Sequence, residues 1–401
     1  MGKSIFFFGQ SVFGQLISLF DRFEVKKAIE RTNSDRYCKG FYTWDHLVSM
    51  LFCTLGGCNS LREVAAGCLG LKGKTEHLGL KRLPKRSTLS DANKNRTPKV
   101  FELIYYTLLE RYRPIISDSR FKEMFGREVK IFDSTTITLF KSILKAAGRK
   151  PKSGKEKGGI KVHTLINADE NVPELVWFSS SATSDQVFWK KITFKKDTVY
   201  VFDKGYIDHT QYEKMAMAGS FFVTRLQNNA TYEHLLELDI PDDVDPGVLK
   251  DEEIAIAIRK NGKVLRTITF RKVAYWDEEN ARLFEFITNL KDIGADKIAS
   301  LYKQRWQIET LFKQFKQNFT LKYFLGDNEN AIIIQIWCSL IANLLITIIR
   351  KQLTRRWSFS NIVSFTRLHL FNYIHLLRFL EDPEKDWEKD LFNLQPTLFS
   401  G

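Results

Sequence analysis

The sequence predicts an α/β protein: a mixed sheet with helices on both faces, a small helical region before it and a β-rich insertion within it. Three observations carry this. Apolar strand patterns recur between residues 129 and 226, and two of them present an aspartate, Asp133 and Asp203. Residues 227–289 leave that strand–helix alternation for short strand-like runs. Residues 302–316, YKQRWQIETLFKQFK, sort into three distinct faces when wound as a helix. The expected domains are 1–115 (helical), 116–226 (first part of the core), 227–289 (insertion), 290–385 (second part of the core) and 386–401 (tail).

A chain of 401 residues has ample length for two or three domains and a large core. Its net charge of +14 favours a polyanionic partner, most often nucleic acid. The five cysteines include no C-x-x-C pair and no histidine at zinc spacing, so they read as structural thiols in a reducing, cytoplasmic compartment. Residues 5–20 are apolar, but Gln10 and Gln15 interrupt them and no small-residue cleavage site follows, which indicates a core helix. Residues 331–349 approach membrane-spanning length. Gln335, Ser339 and Asn343 within them indicate a buried helix and no membrane.

In the N-terminal region Asp45 opens a helix that closes at Gly56-Gly57, and Asn59-Ser60 caps the next. Residues 74–99 then hold eight Lys/Arg against two acids. Ser87 or Thr88 caps a short helix just after Lys85-Arg86. A helix start flanked by cations suits a phosphate; a solvated basic loop fits equally.

In VKIFDSTTITL, residues 129–139, Val129, Ile131 and Asp133 share one face of a strand. A carboxylate there is costly unless it is paired or binds metal, although Asp-Ser-Thr also suits a strand-end turn. Residues 141–161 carry eight Lys/Arg and one Glu, with Arg149, Lys150, Lys152 and Lys155 at their centre. They read as a solvated linker or, beside a phosphodiester site, as a DNA-contacting arm. Two strands follow, around the turn Asp169-Glu170-Asn171. His163 in the first reads as a packed residue. Residues 184–193 look helical, with Ser184 or Asp185 as cap. TVYVFDKGY then ends a strand in Asp203 before a Gly turn, and SFFVTRL makes a fifth strand. The insertion follows, with the turn Asn261-Gly262 between two of its strands.

On the 302–316 wheel, at roughly 100° per residue, Tyr302, Arg305, Trp306, Glu309, Lys313 and Lys316 fall on one arc. Ile308, Phe312 and Phe315 fall beside them as the core face. Taken alone, Arg305 and Glu309 are an ordinary i,i+4 surface pair. The full spacing of Tyr302, Arg305, Glu309 and Lys316 resembles the signature of bacterial insertion-sequence transposases of the DDE class, in the family with a Tyr-Arg-Glu-Lys helix. Asp133 and the Asp-x-Gly-Tyr at Asp203 supply the two upstream acids which that resemblance requires.

The resemblance spans nearly the whole chain and implies a ribonuclease-H-like core. It implies Asp133, Asp203 and Glu309 as catalytic and metal-holding acids, with Mg²⁺ as cofactor and Mn²⁺ as its substitute. Tyr302, Arg305, Trp306, Lys313 and Lys316 would contact DNA. It further implies cut-and-paste transposition on double-stranded DNA, through hairpin ends at the terminal inverted repeats, by a homodimer assembled on DNA. In that family an aromatic of the insertion holds a flipped base. Trp276 is the candidate here, and a merely packed tryptophan is the simpler reading. No P-loop and no histidine-based nucleophile are visible, so the chemistry needs no ATP. A ribonuclease-H-like nuclease without strand transfer, or a catalytically silent DNA-binding relative, are the alternatives.

Overall fold

The structure is a computed structural model and describes residues 9–73, 75–139, 158–260, 263–319, 321 and 323–384. Arg149, Lys150, Lys152 and Lys155, the Asn261-Gly262 turn and the 386–401 tail lie outside the described residues. The chain divides into two compact units. One comprises 1–116, 141–147 and 313–401; the other comprises 117–140 and 148–312.

The first unit is helical where it is described. Its Thr43–Gly56 helix starts two residues before Asp45. Asp45 acts as the third residue of a capping box: its Oδ2 accepts from Tyr42 N at 3.0 Å, and its Oδ1 accepts from Lys81 N at 3.0 Å. Gly57, at φ 71°, closes the helix in the left-handed region that favours glycine. Ser60 then caps Leu61–Leu69 by accepting from Glu63 N. Of the apolar stretch at 5–20, the described part forms only the short helix Val12–Ile17.

The apolar stretch near the C-terminus is the 23-residue helix Glu329–Lys351, long and apolar enough to cross a membrane. Here it is buried, packed on the helices Lys99–Ile116 and Thr43–Gly56. Gln335 explains one polar break in its pattern: its Nε2 donates to Tyr323 O and its Oε1 accepts from Leu325 N, which ties down the preceding loop. Ser339 donates back to Gln335 O.

The second unit is built on a nine-stranded sheet in the order β3-β2-β1-β4-β5-β9-β8-β7-β6. The strands are β1 Glu128–Leu139, β2 Gly158–Asn167, β3 Pro173–Ser180, β4 Thr198–Phe202, β5 Phe221–Arg225, β6 Glu233–Glu237, β7 Val248–Lys260, β8 Lys263–Asp277 and β9 Arg282–Thr288. β1, β2 and β3 form an antiparallel meander, and β4 and β5 run parallel to β1. That is the ribonuclease-H-like order. The insertion does not stand apart from it: β9 pairs antiparallel with β5, so β6–β9 extend the same sheet.

Strand alternation gives the sheet two different faces. Val129, Ile131, Val199, Val201 and Val223 pack with Ile298, Leu301 and Ile308 on one face. Phe132, Tyr200, Phe202 and Phe222 pack with Phe188, Trp189, Tyr206 and Tyr212 on the other. Residues 184–193, expected as a helix, form instead the 3₁₀ turn Asp185–Lys191. Its short hydrogen bonds still drive Phe188 and Trp189 into this second face.

His46 in the first unit is fully buried, with Nε2 2.7 Å from Asn93 Oδ1 and its ring edge-on to Phe101. Burial, with nearby Arg96 adding to it and the Asn93 bond opposing, lowers its pKa to about 3. The unfolded chain takes up a proton at this position below about pH 6.5 and the folded chain does not. The resulting stability is therefore complete above pH 6.5 and is lost as the pH falls toward 3. We expect His46→Gln to flatten the acid limb of a Tm-against-pH curve in that window. An unchanged acid limb would exclude a neutral buried imidazole.

Candidate active site

The acids are placed by register. β1 and β4 pair in parallel with Phe132 opposite Phe202. Asp133 and Asp203, each one residue further on, therefore lie side by side on the face of Ile131 and Val201. Val201 is in turn opposite Val223 of β5, which brings Arg225 level with Asp203. Arg225 Nη2 donates to Asp203 Oδ1 at 2.8 Å, and Tyr302 Oη donates to the same oxygen at 3.2 Å.

The third acid comes from a segment that is not one helix. Ala295–Lys303 and Trp306–Asn318 are separate helices, joined by a turn at Gln304-Arg305. Arg305 N bonds to Tyr302 O, and Ile308 N to Arg305 O, each three residues back. This tightened turn buries Tyr302 at the end of the first helix and Arg305 in the junction, while Trp306 is 54% exposed. From the junction Arg305 reaches two acids. Its Nη1 lies 3.3 Å from Asp133 Oδ2, and its Nη2 lies 2.6 Å from Glu309 Oε1. The Arg305–Glu309 pair is thus not an isolated surface i,i+4 contact. It is one arm of a clamp joining two acids 176 positions apart in the sequence.

The electrostatics of the acids differ. Burial pushes Asp133 up to about 6; Ser134 N and Arg305 pull the other way, and the charges of Asp203 and Glu309 add to the rise. Burial also works against Asp203, but Arg225 and Lys204 N outweigh it and hold that carboxyl below its ordinary range. Arg305 is disfavoured by burial as well, yet Tyr302, Glu309 and Asp133 hold its pKa above the usual value. Asp133 is thus the acid whose burial outweighs its partners, and Asp203 the acid whose partners outweigh its burial.

Three carboxylates offer only hard oxygen donors, the set that suits Mg²⁺. The raised Asp133 pKa marks a place where added positive charge is favourable. Among the described residues no three His, Cys, Asp or Glu groups already form a metal-holding cluster. The Arg305 guanidinium binds both Asp133 and Glu309 instead. The residue types fit a divalent ion, and taking one up would require the Arg305 contacts to loosen.

Beside the acids is a cavity of about 260 Å³, lined by Arg225, Arg282, Phe284, Tyr302, Arg305 and Trp306 among others. Tyr275 and Asp277 also line it. By strand alternation Trp276, between them, faces the other way, 42% exposed. The structure thus brings together Asp133, Asp203, Glu309, Tyr302 and Arg305, with Trp306 on the cavity, and leaves Trp276 off it. Lys85 and Arg86 are exposed at the start of the helix Arg86–Asn95 in the other unit. Lys313 and Lys316 are exposed further along Trp306–Asn318.

Sequence reasoning missed Arg225, although its strand was legible. The only signal was a cation at the end of an apolar strand, and its meaning depends on a parallel register that no local pattern encodes. It also treated Asp185 as a helix cap. The carboxylate of Asp185 instead accepts from Ser134 Oγ at 2.6 Å and Lys161 Nζ at 3.1 Å.

Comparison with known proteins gives the family. The transposase DDE domain matches residues 124–345, over half of the chain and all three acids. The chain belongs to the DDE transposase family. Residues 8–81 match a separate domain of unknown function. A Sinorhizobium fredii protein named as the transposase y4zB is 29% identical over 66% of this chain and 71% of its own length. A Geobacillus stearothermophilus protein named as the transposase of insertion sequence element IS5377 is 25% identical over 61% and 62%. The piggyBac transposase synaptic complex with hairpin DNA aligns over 99% of this chain and 85% of that one, at 12% identity and a TM-score of 0.42.

For this DDE transposase the raised pKa of Asp133 has a stability consequence. In the folded protein Asp133 holds its proton up to about pH 6, and in the unfolded chain it loses it near 3.8. The favourable contribution is therefore present below pH 3.8 and is lost as the pH rises through about 6. We expect Asp133→Asn to raise stability at pH 8 in EDTA, on the order of 3 kcal/mol, with the gain gone below about pH 4. Denaturant melts of both proteins at the two pH values check this. A variant less stable at pH 8 would show that the Arg305 contact outweighs the burial of the charge.

Proposed function

We propose that this DDE transposase cleaves the ends of an insertion sequence and joins them to target DNA, with Asp133, Asp203 and Glu309 holding two Mg²⁺ ions. The observation that carries the reading is the convergence of those three acids, from the middle of β1, the end of β4 and one helix, with Arg305 bonded to two of them. Bound divalent ions supply Lewis-acid activation of the attacking water or 3′-OH and of the leaving oxygen.

The chain's own groups do the rest. Arg305 and Arg225 are already bonded to the carboxylates. Released from them, they would face the phosphate and stabilise charge on its non-bridging oxygens. Tyr302, held at Asp203, would orient that phosphate. Trp306, exposed on the cavity, would stack on an unpaired base, as a cut-and-paste route through hairpin ends would require.

Backbone binding falls to the other unit. It holds 32 Lys/Arg against 18 Asp/Glu, whereas the unit with the acids holds 29 of each, so the whole +14 resides there. Lys85, Arg86, Lys313 and Lys316 belong to it, and they are proposed to grip phosphates of the inverted repeats. Arg149, Lys150, Lys152 and Lys155 are proposed to add contacts close to the cut. Pairing two ends requires a dimer in the DNA complex, working in the bacterial cytoplasm.

The test is a cleavage and joining assay on a duplex carrying the flanking inverted repeat, with Mg²⁺ or with EDTA. We expect metal-dependent nicking and a joined product. Glu309→Gln and Asp203→Ala should lower both by more than about 100-fold, the scale of a single active-site group, while gel-shift affinity stays near that of the parent protein. Normal cutting by Glu309→Gln would remove that residue from the site, and nicking without joining would leave a nuclease.

A further inference from the structure

The face of the sheet opposite the acids carries a second polar cluster, half-buried at the edge of the aromatic packing. Ser134 follows Asp133 in β1, so its side chain projects to that opposite face. There Ser134 Oγ donates to Asp185 Oδ1 at 2.6 Å. Lys161 Nζ donates to the same oxygen at 3.1 Å and to Thr183 O at 2.8 Å. β2 aligns these groups, because Ser134 pairs with His163 and Thr136 with Lys161. His163 is fully buried, stacked on Phe188, with Nε2 2.8 Å from Ser179 Oγ and Nδ1 3.8 Å from Asp185 Oδ1. On the near face, the backbone N of the same Ser134 donates to Asp133 Oδ1 at 2.7 Å.

One residue therefore ties the two faces together. Its peptide N–H fixes the Asp133 carboxylate, and its hydroxyl is anchored by a carboxylate that Lys161 holds in place. We propose that Asp185 is a positioning residue: through Ser134 it sets the orientation of the β1 peptide that aims Asp133 at its cation. It does not touch substrate or metal, since it lies on the far side of the sheet. The physical reason is rigidity. Among the described residues, the register of β1 with β4 runs from Glu128 to Phe132 and stops one residue before Asp133. A charge-assisted bond from Asp185 limits rotation of the 133–134 peptide at the point where backbone pairing on that side stops. Partners that orient a metal-holding carboxylate in this way typically contribute about 10–100-fold in metal affinity or activity.

The inference rests on the reading of Asp133 as a metal-holding acid, and the test separates the two. Mn²⁺ binding to the DNA-free full chain is measured by calorimetry, together with Mg²⁺-dependent nicking and Tm, for Asp133→Ala, Asp185→Ala, Asp185→Asn, Ser134→Ala and the Asp185→Ala/Ser134→Ala double variant. We expect Asp185→Ala and Ser134→Ala each to weaken Mn²⁺ binding by about 10-fold. The double variant should be no weaker than either single one, because both remove the same link. Asp185→Asn, whose amide oxygen can still accept from Ser134, should recover most of the affinity. Additive losses in the double variant, or parent-like Mn²⁺ affinity in both single variants, would overturn the proposal. If Asp185→Ala does not fold, Ser134→Ala carries the test alone, since it leaves the Asp185–Lys161 pair in place. If Asp133→Ala binds Mn²⁺ as the parent does, the site reading itself fails, whatever the Asp185 variants show.

Discussion

Like charges brought together in a half-buried place repel, and the active site depends on how that repulsion is held. Asp133, Asp203 and Glu309 come from three elements far apart in sequence. Two arginines and a tyrosine hold them in register. Arg305 spans Asp133 and Glu309, and Arg225 with Tyr302 fixes Asp203. The balance is uneven: the partners of Asp203 outweigh its burial and lower its pKa, whereas Asp133 keeps a raised one. A site left short of positive charge is prepared to accept a cation. The arginines that hold the acids apart from it are also the groups that suit a phosphate.

The sheet serves this arrangement by separating two jobs by face. The aliphatic face, under Ala295–Lys303 and the start of Trp306–Asn318, carries Asp133 within β1 and Asp203 just past the end of β4. The aromatic face, filled by Phe132, Phe202, Trp189 and Tyr212, is a stiff backing with ring centroids 4.8–5.8 Å apart. Asp185 and Lys161 are embedded at its edge. Alternation along β1 passes from Asp133 to Ser134 and so from one job to the other within two residues. The insertion adds to the aliphatic face: β9 joins β5, and Phe286 packs 4.9 Å from the Tyr302 ring. It thereby supports the signature tyrosine from below.

The sequence alone determined a good deal. Alternating apolar residues ending in an acid, Asp133 and Asp203, made the core strands legible, because a buried carboxylate in a strand demands a purpose. The spacing of Tyr302, Arg305, Glu309 and Lys316 marked the third acid. The polar breaks at Gln335 and Ser339 marked Glu329–Lys351 as an interior helix, and the structure spends Gln335 on the 323–325 loop.

Only the tertiary structure decided what depends on long-range register. The parallel pairing of β1, β4 and β5 made Arg225 a partner of Asp203, and no local pattern encodes which strand lies beside which. The break at Gln304-Arg305 was hidden, because the apolar period runs on through it and no Gly or Pro announces it. It was settled by the packing of Tyr302 against Phe286 and by the pull of Arg305 toward two acids. Asp185 looked like a cap because Ser-Asp before an apolar run is a common helix start. Its real partners, Ser134 and Lys161, are 51 and 24 residues away and meet it only when the sheet has formed. Periodicity records which side of an element is buried; partners across the sheet are set by how the elements assemble.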